Sequence, residues 1–205
     1  MNDDTADAPQ LYLVTPPKFE LHGFTDRLVR VLDAREVACL RLQMPGADAG
    51  DLGRAADGLR DLCHARDIAI VIADHHRMVG PHGLDGVHIT DGRSLRDLRA
   101  DLGRDAIIGS FCDASRHAGL SAGEAGADYV SFGPVRPDAM LGDGSVAEAE
   151  LFDWWSAMIE VPVVAEGGLD VESVAALSPS VDFFAVGREI WDREDPLAAL
   201  EALGL

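Results

Sequence analysis

Short apolar runs alternate with longer amphipathic stretches along most of the chain. The runs LYLVT (11–15), VACLRL (37–42), IAIVIA (68–73), GVHI (86–89), AIIGS (106–110), DYVSF (128–132), VPVVA (161–165) and DFFAV (182–186) have the length and side-chain types of strands. Between them, helices are predicted over 25–34, 49–66, 75–79, 95–102, 114–125, 147–159, 171–176 and 189–202. Strands that are apolar on both faces and alternate with helices belong to parallel sheets covered by helices. Eight such units in about 190 residues predict a single closed (β/α)8 TIM barrel, of class α/β. An open flavodoxin-like sheet normally needs only five or six units.

Leu84-Asp85-Gly86 and Gly126-Ala127-Asp128 each precede a strand and read as helix-to-strand turns. Residues 1–8 are polar and acidic, which predicts a disordered tail, and residues 9–205 form the barrel. No low-complexity linker divides the chain.

The charge narrows the partners. With a formal net charge of −19, the surface repels phosphodiester backbones, so nucleic acid is not expected as a partner. No apolar run approaches the roughly 20 residues of a membrane span, and the acidic start predicts neither a signal nor a transit peptide. Cys39, Cys63 and Cys112 form no CxxC pair and are odd in number, as in a reducing, cytoplasmic setting. Lys18 is the only lysine among 17 basic residues, so cationic ligand contacts elsewhere must come from arginine. The oligomeric state is open, and a homo-oligomer is compatible with the sequence.

In a barrel of this kind the chemistry sits at the C-terminal ends of the strands. The residues there include Thr15, Arg41 to Gln43, Asp74 to His76, His88, Ser110 to Asp113, Gly133 to Arg136, Glu166 to Gly168, and Gly187 to Glu189. Gly167 and Gly168 after the seventh strand, with Gly187 and Arg188 after the eighth, are candidates for phosphate: glycine admits close approach of backbone N–H groups and Arg188 offers a planar fork. The same glycines also suit tight turns, with Arg188 solvated. Gln43, His88, Ser110, Gly133 and Arg136 are candidates for substrate contact, although His88 also fits a core position. Asp74 ends the third strand, where it could ligate Mg²⁺ or cap the following helix. Pro137, Gly142 and Gly144 interrupt regular structure and predict a mobile loop over 136–146.

LYLVT, IAD after IAIV, LDGVHIT, IIGSFC, AGADYVSFGPV, VPVVAEGGL and FFAVGREI follow one another in an order that resembles the thiamine phosphate synthase family and its relatives, the TenI-type thiazole tautomerases. The resemblance implies a barrel whose synthase members join a pyrimidine pyrophosphate to a thiazole phosphate, with Mg²⁺ on the pyrophosphate. Catalysis would then stabilise departing pyrophosphate in a dissociative displacement. The thiazole-phosphate side carries over onto Gly168, Gly187 and Arg188. On the pyrophosphate side, Arg41-Leu42-Gln43 exchanges the family's Gln and Arg, and Pro45 stands at its lysine. Ala73-Asp74 keeps one residue of its Asn-Asp pair. Arg93 falls at the second Mg²⁺ carboxylate, with Asp91 two residues earlier, and Phe111 falls at a serine. Arg136-Pro137-Asp138-Ala139 replaces Thr-x-Thr-Lys. Asp113 lies where tautomerases have histidine, so it would be a proton shuttle in an isomerase or the cap of the next helix.

These departures predict a family member that binds a small phosphorylated heterocycle and works as a TenI-like isomerase, with Arg41 and Asp113 as catalytic candidates. Two alternatives stand beside it: an active synthase using arginines for lysines, and a non-catalytic phosphometabolite-binding regulatory protein.

Overall fold

Parallel pairing closes the eight strands on themselves in the computed structural model, in the order β1-β2-β3-β4-β5-β6-β7-β8. The strands are β1 Gln10–Val14, β2 Val37–Leu42, β3 Ala69–Ala73, β4 Gly86–Ile89, β5 Ile107–Phe111, β6 Tyr129–Phe132, β7 Val163–Glu166 and β8 Phe183–Val186. Closure is made where β1 pairs with β8 (Leu11 beside Phe184, Leu13 beside Val186), which excludes the open sheet. The structure describes residues 8–90, 94–137 and 141–205. Of the tail expected over 1–8, only Ala8 lies among them, and Asp91, Arg93 and residues 138–140 lie outside them.

The helices are α1 Leu21–Ala34, α2 Ala49–His64, α3 Val79–His82, α4 Leu95–Leu102, α5 Arg116–Glu124, α6 Ala149–Met158, α7 Val171–Leu177, α8 Arg188–Trp191 and α9 Pro196–Leu203. Their starts are written in side chains that accept from otherwise orphaned N–H groups: Glu20, Asp48, Ser94, Ser115, Asp170 and Asp195 all do so. Two predicted helices differ. The third is a 3₁₀ turn, His76–Met78, that runs into α3. The last is split into α8 and α9, because Asp195 caps a new start and Pro196 occupies its first turn.

Strand alternation sorts the side chains into two cores. Leu13, Leu40, Leu42, Ile70, Ile72, Val87, Ile108, Val130, Phe132, Val163, Phe184 and Val186 face outward and pack beneath the helices. Tyr12, Cys39, Val71, Tyr129, Val164 and Ala185 face inward and fill the barrel. At the N-terminal end of the strands a recurrent contact joins them in couples. Asp85 donates its N–H to Ile70 O and accepts from Ile70 N; Asp128 does the same with Ile108, and Asp182 with Val163. No helix of the described residues is long and apolar enough to cross a membrane.

Candidate active site

The inward face carries a ring of polar groups as well as apolar ones. Tyr12 Oη lies 2.8 Å from Tyr129 Oη, which lies 2.9 Å from His88 Nδ1. His88 Nε2 is 3.9 Å from Glu166 Oε1, and Arg41 donates to both Glu166 oxygens at 2.5 and 3.3 Å. The Arg41 guanidinium then stands 5.7 Å from the centre of the Tyr12 ring and completes the circuit. Room for Tyr129 comes from β5, whose inward residue is Gly109: a Cβ there would sit 2.1 Å from the Tyr129 ring.

Every member of the ring is buried, and the charges within it are set by their neighbours. Burial alone would raise the Glu166 carboxyl, but the Arg41 charge and hydrogen bonds hold it at about 2. Burial would likewise weaken the Arg41 charge, but Glu166 more than restores it. Burial, reinforced by Arg41 and opposed by Glu166, lowers His88 to about 3. Burial raises both tyrosines. At neutral pH the ring therefore holds one carboxylate, one guanidinium, a neutral imidazole and two phenols.

Above the ring a cavity of about 640 Å³ opens between the ends of β1, β2, β7 and β8. It brings together Arg41, Gln43, Gly167, Gly187 and Arg188 from the predicted site residues, and adds Glu166 and Glu189. Thr15 fixes the approach of Gln43 by accepting from its backbone N–H at 3.0 Å. Arg41 Nε and Gln43 Oε1 are buried without a hydrogen-bond partner among the described residues. One donor and one acceptor are thus left unpaired in side chains that line the cavity.

Gly167 and Gly168 adopt left-handed φ of 83° and 76°, which glycine alone takes readily. The anion at these loops is the chain's own: Glu189 accepts from Gly168 N at 3.0 Å and from Gly187 N at 2.9 Å. Arg188 is exposed and turned along its helix toward Asp192, with Nε 3.2 Å from the carboxylate, rather than over the loop. Arg136 is held by Asp170 and Glu172 at the start of α7, at 2.5 and 3.0 Å.

Other predicted residues lie around the rim or behind it. His88 is fully buried in the ring. Gly133 packs against β7 so closely that a Cβ would lie 2.2 Å from Glu166 O. Ser110 is a correction: it shares the strand face of Ile108 and Cys112, which belong to the helix-facing core, so alternation turns it away from the barrel interior.

Both helix-cap expectations for aspartates are also corrected. Asp113 does not cap α5, since Ser115 does, accepting from Ala118 N. Asp113 instead takes a left-handed φ of 47°, and its carboxylate accepts from Asp143 N at 3.2 Å. It thereby ties down the described end of the loop expected to be mobile. At Asp74, φ is 58°, and the carboxylate accepts from Thr90 N and Thr90 Oγ1 at 2.7 and 2.6 Å, bridging the ends of β3 and β4. No group of three or more His, Cys, Asp or Glu among the described residues could hold a metal. A single carboxylate beside a hydroxyl does fit hydrated Mg²⁺, which keeps several waters and takes further oxygens from substrate phosphates.

Sequence reasoning missed Tyr12 and Tyr129, and placed Glu166 and Glu189 at strand ends without a role. Alternation would have sharpened Glu166: it is two residues after inward-facing Val164, at the top of a strand that points into the barrel.

Comparison with known proteins agrees with this architecture. A family described as thiamine monophosphate synthase matches residues 11–190. Among curated proteins, the thiamine-phosphate synthase of Rhodospirillum centenum is 40% identical over 194 residues, covering 93% of this chain and 94% of its own. That of Erythrobacter litoralis is 38% identical over 205 residues, covering 97% and 95%. Among solved structures, the thiamine phosphate pyrophosphorylase of Pyrococcus furiosus superposes with a TM-score of 0.80 at 22% identity, over 95% of this chain and 93% of that one, a likeness of fold. This chain belongs to the thiamine monophosphate synthase family.

Proposed function

We propose that the chain is a thiamine phosphate synthase, a transferase that joins a pyrimidine pyrophosphate to a thiazole phosphate with release of pyrophosphate. This replaces the isomerase expected from the substitutions on the pyrophosphate side. The names of the similar proteins favour the transferase, and Asp113 is the structural observation that supports the choice. An isomerase would need its carboxylate as a proton shuttle at the substrate, whereas Asp113 is not among the described residues that line the cavity of Arg41 and Gln43.

In this reading the Gly167–Gly168 and Gly187–Arg188 loops take the thiazole phosphate. Arg41 and Gln43 line the cavity in which the heterocycle would sit. The Arg41–Glu166 pair serves as a fixed dipole rather than a free cation, so it orients substrate without needing to reorganise during the reaction. Holding the thiazole nitrogen close to the electrophilic carbon converts a bimolecular step into an intramolecular one. Asp74, beside Thr90, would hold Mg²⁺, which would neutralise charge on the departing pyrophosphate.

Purified protein incubated with both substrates and Mg²⁺ should yield thiamine phosphate and pyrophosphate in equal amounts. Asp74→Asn should lower that rate by roughly tenfold or more and raise the Mg²⁺ concentration needed for half-maximal turnover. Thiazole tautomerisation without any coupling product would restore the isomerase reading.

A further inference from the structure

Gly168 and Gly187 come from different loops, after β7 and β8, yet their N–H groups converge on one side chain. Glu189 Oε1 accepts from Gly168 at 3.0 Å and Oε2 from Gly187 at 2.9 Å. Each oxygen takes one donor, as two oxygens of a phosphomonoester would. Glu189 also lines the cavity of Arg41 and Gln43, both of which retain a buried polar atom with no partner among the described residues. On its β7–β8 side the cavity's backbone donors are thus satisfied by the chain itself.

We propose that Glu189 is an internal surrogate for the substrate's phosphate, closing the subsite in the unliganded protein and yielding it to a phosphomonoester dianion. The inference rests on reading the two loops as the phosphate subsite. Both anions need the same two N–H groups, so they exclude one another. The carboxylate is tethered two residues from Gly187, and its effective concentration at the donors is that of a group already in place. An incoming anion must outcompete it, which screens out singly charged ligands that hydrogen-bond no better than a carboxylate. Displacement also releases the only direct hydrogen-bonded bridge described between the Gly168 and Gly187 backbones, so phosphate takes over a structural task as it binds.

The test is titration of wild type, Glu189→Gln and Glu189→Ala with inorganic phosphate and with the phosphorylated thiazole. Calorimetry gives the affinity, and the amide resonances of Gly168 and Gly187 give the location. Removing a competing charge-assisted acceptor should tighten binding of both probes by roughly tenfold in Glu189→Ala. Glu189→Gln should also bind more tightly, because an amide NH₂ cannot accept and one N–H is released; it decides the matter if the alanine variant does not fold. In wild type, both amide resonances should move as phosphate displaces the carboxylate. Binding to wild type with unchanged or weaker affinity in the folded variants, or with both amides unmoved, overturns the surrogate role. Unchanged affinity with moving amides would still leave the phosphate subsite standing. Absence of phosphate binding in all three proteins overturns the subsite reading itself, and the surrogate with it.

Discussion

Removing one member of the Arg41–Glu166 pair tests how the barrel interior is held together. Both side chains are 4% exposed, so neither charge has water to fall back on. Breaking such a pair from one side typically costs about 3–5 kcal/mol, while replacing both partners by apolar groups of similar volume is often neutral. The structure separates the two single variants. Glu166→Gln leaves Arg41 with an amide oxygen to bond and the Tyr12 ring at 5.7 Å, so its cost falls at or below the low end, about 2–3 kcal/mol. Arg41→Met leaves Glu166 with no cationic partner, only neutral groups such as His88 at 3.9 Å and Ser131, so the carboxyl must take up a proton and the cost rises to about 3–5 kcal/mol.

The assay is urea unfolding followed by tryptophan fluorescence, with buried Trp155 and Trp191 among the reporters. At a slope of about 2 kcal/mol/M, a loss of about 3 kcal/mol moves the midpoint by about 1.5 M. Arg41→Met should also lose the depressed pKa of Glu166, so its stability should fall as pH rises from about 5 to 7, where wild type shows no such loss. The double variant Arg41→Met/Glu166→Leu should recover most of the loss. Single variants costing under 1 kcal/mol, or a double variant whose cost equals the sum of the singles, would refute the picture of two mutually dependent buried charges.

Further expectations concern the same ring and its rim. His88 has a folded pKa lowered to about 3, so the unfolded chain binds a proton the native one refuses as pH falls below about 6.5; stability should therefore fall with acidification. Between about pH 6.5 and 5.5, above the range in which Glu166 titrates, His88→Gln should flatten the acid limb of the stability curve; an unchanged slope would show that His88 is not its source. Gly109→Ala should lower stability by about 1–3 kcal/mol by driving a methyl into Tyr129, and Tyr129→Ala in the same chain should cost less than the sum of the two, as thermal unfolding would show. Ser115→Ala should cost about 1 kcal/mol through the α5 cap, while Asp113→Gly should be milder than Asp113→Ala because glycine accepts the left-handed φ of 47°. The reverse order would remove backbone conformation as the reason for that residue's position.

The barrel was legible because each strand is an apolar run and six of the nine helix starts described carry their own acceptor, so local preference and global topology agree. The site was less so, for a reason visible in particular residues. Glu166 follows VPVVA without a break, and only the direction of its side chain, not its type, makes it the partner of Arg41. That partnership spans 125 residues, and chain-local periodicity is blind to it. Asp113 and Ser115 both suit a cap, and the choice between them depends on a loop 30 residues downstream that claims the Asp113 carboxylate. Arg188 sits where an anion-binding fork would be placed, but Asp192, just past the end of α8, offers its carboxylate one turn away.

The aspartates 85, 128 and 182 make the barrel a structure of coupled strands rather than of eight equal staves. Each clamps the start of an even strand to one residue of the odd strand before it, through both the N–H and the carboxylate. The seams inside β3–β4, β5–β6 and β7–β8 are therefore doubly fastened at the end remote from the site. Amides of Ile70, Ile108 and Val163 should exchange with solvent only when a whole couple opens. The loops at the other end can then rearrange around ligand while the base of the barrel keeps its register.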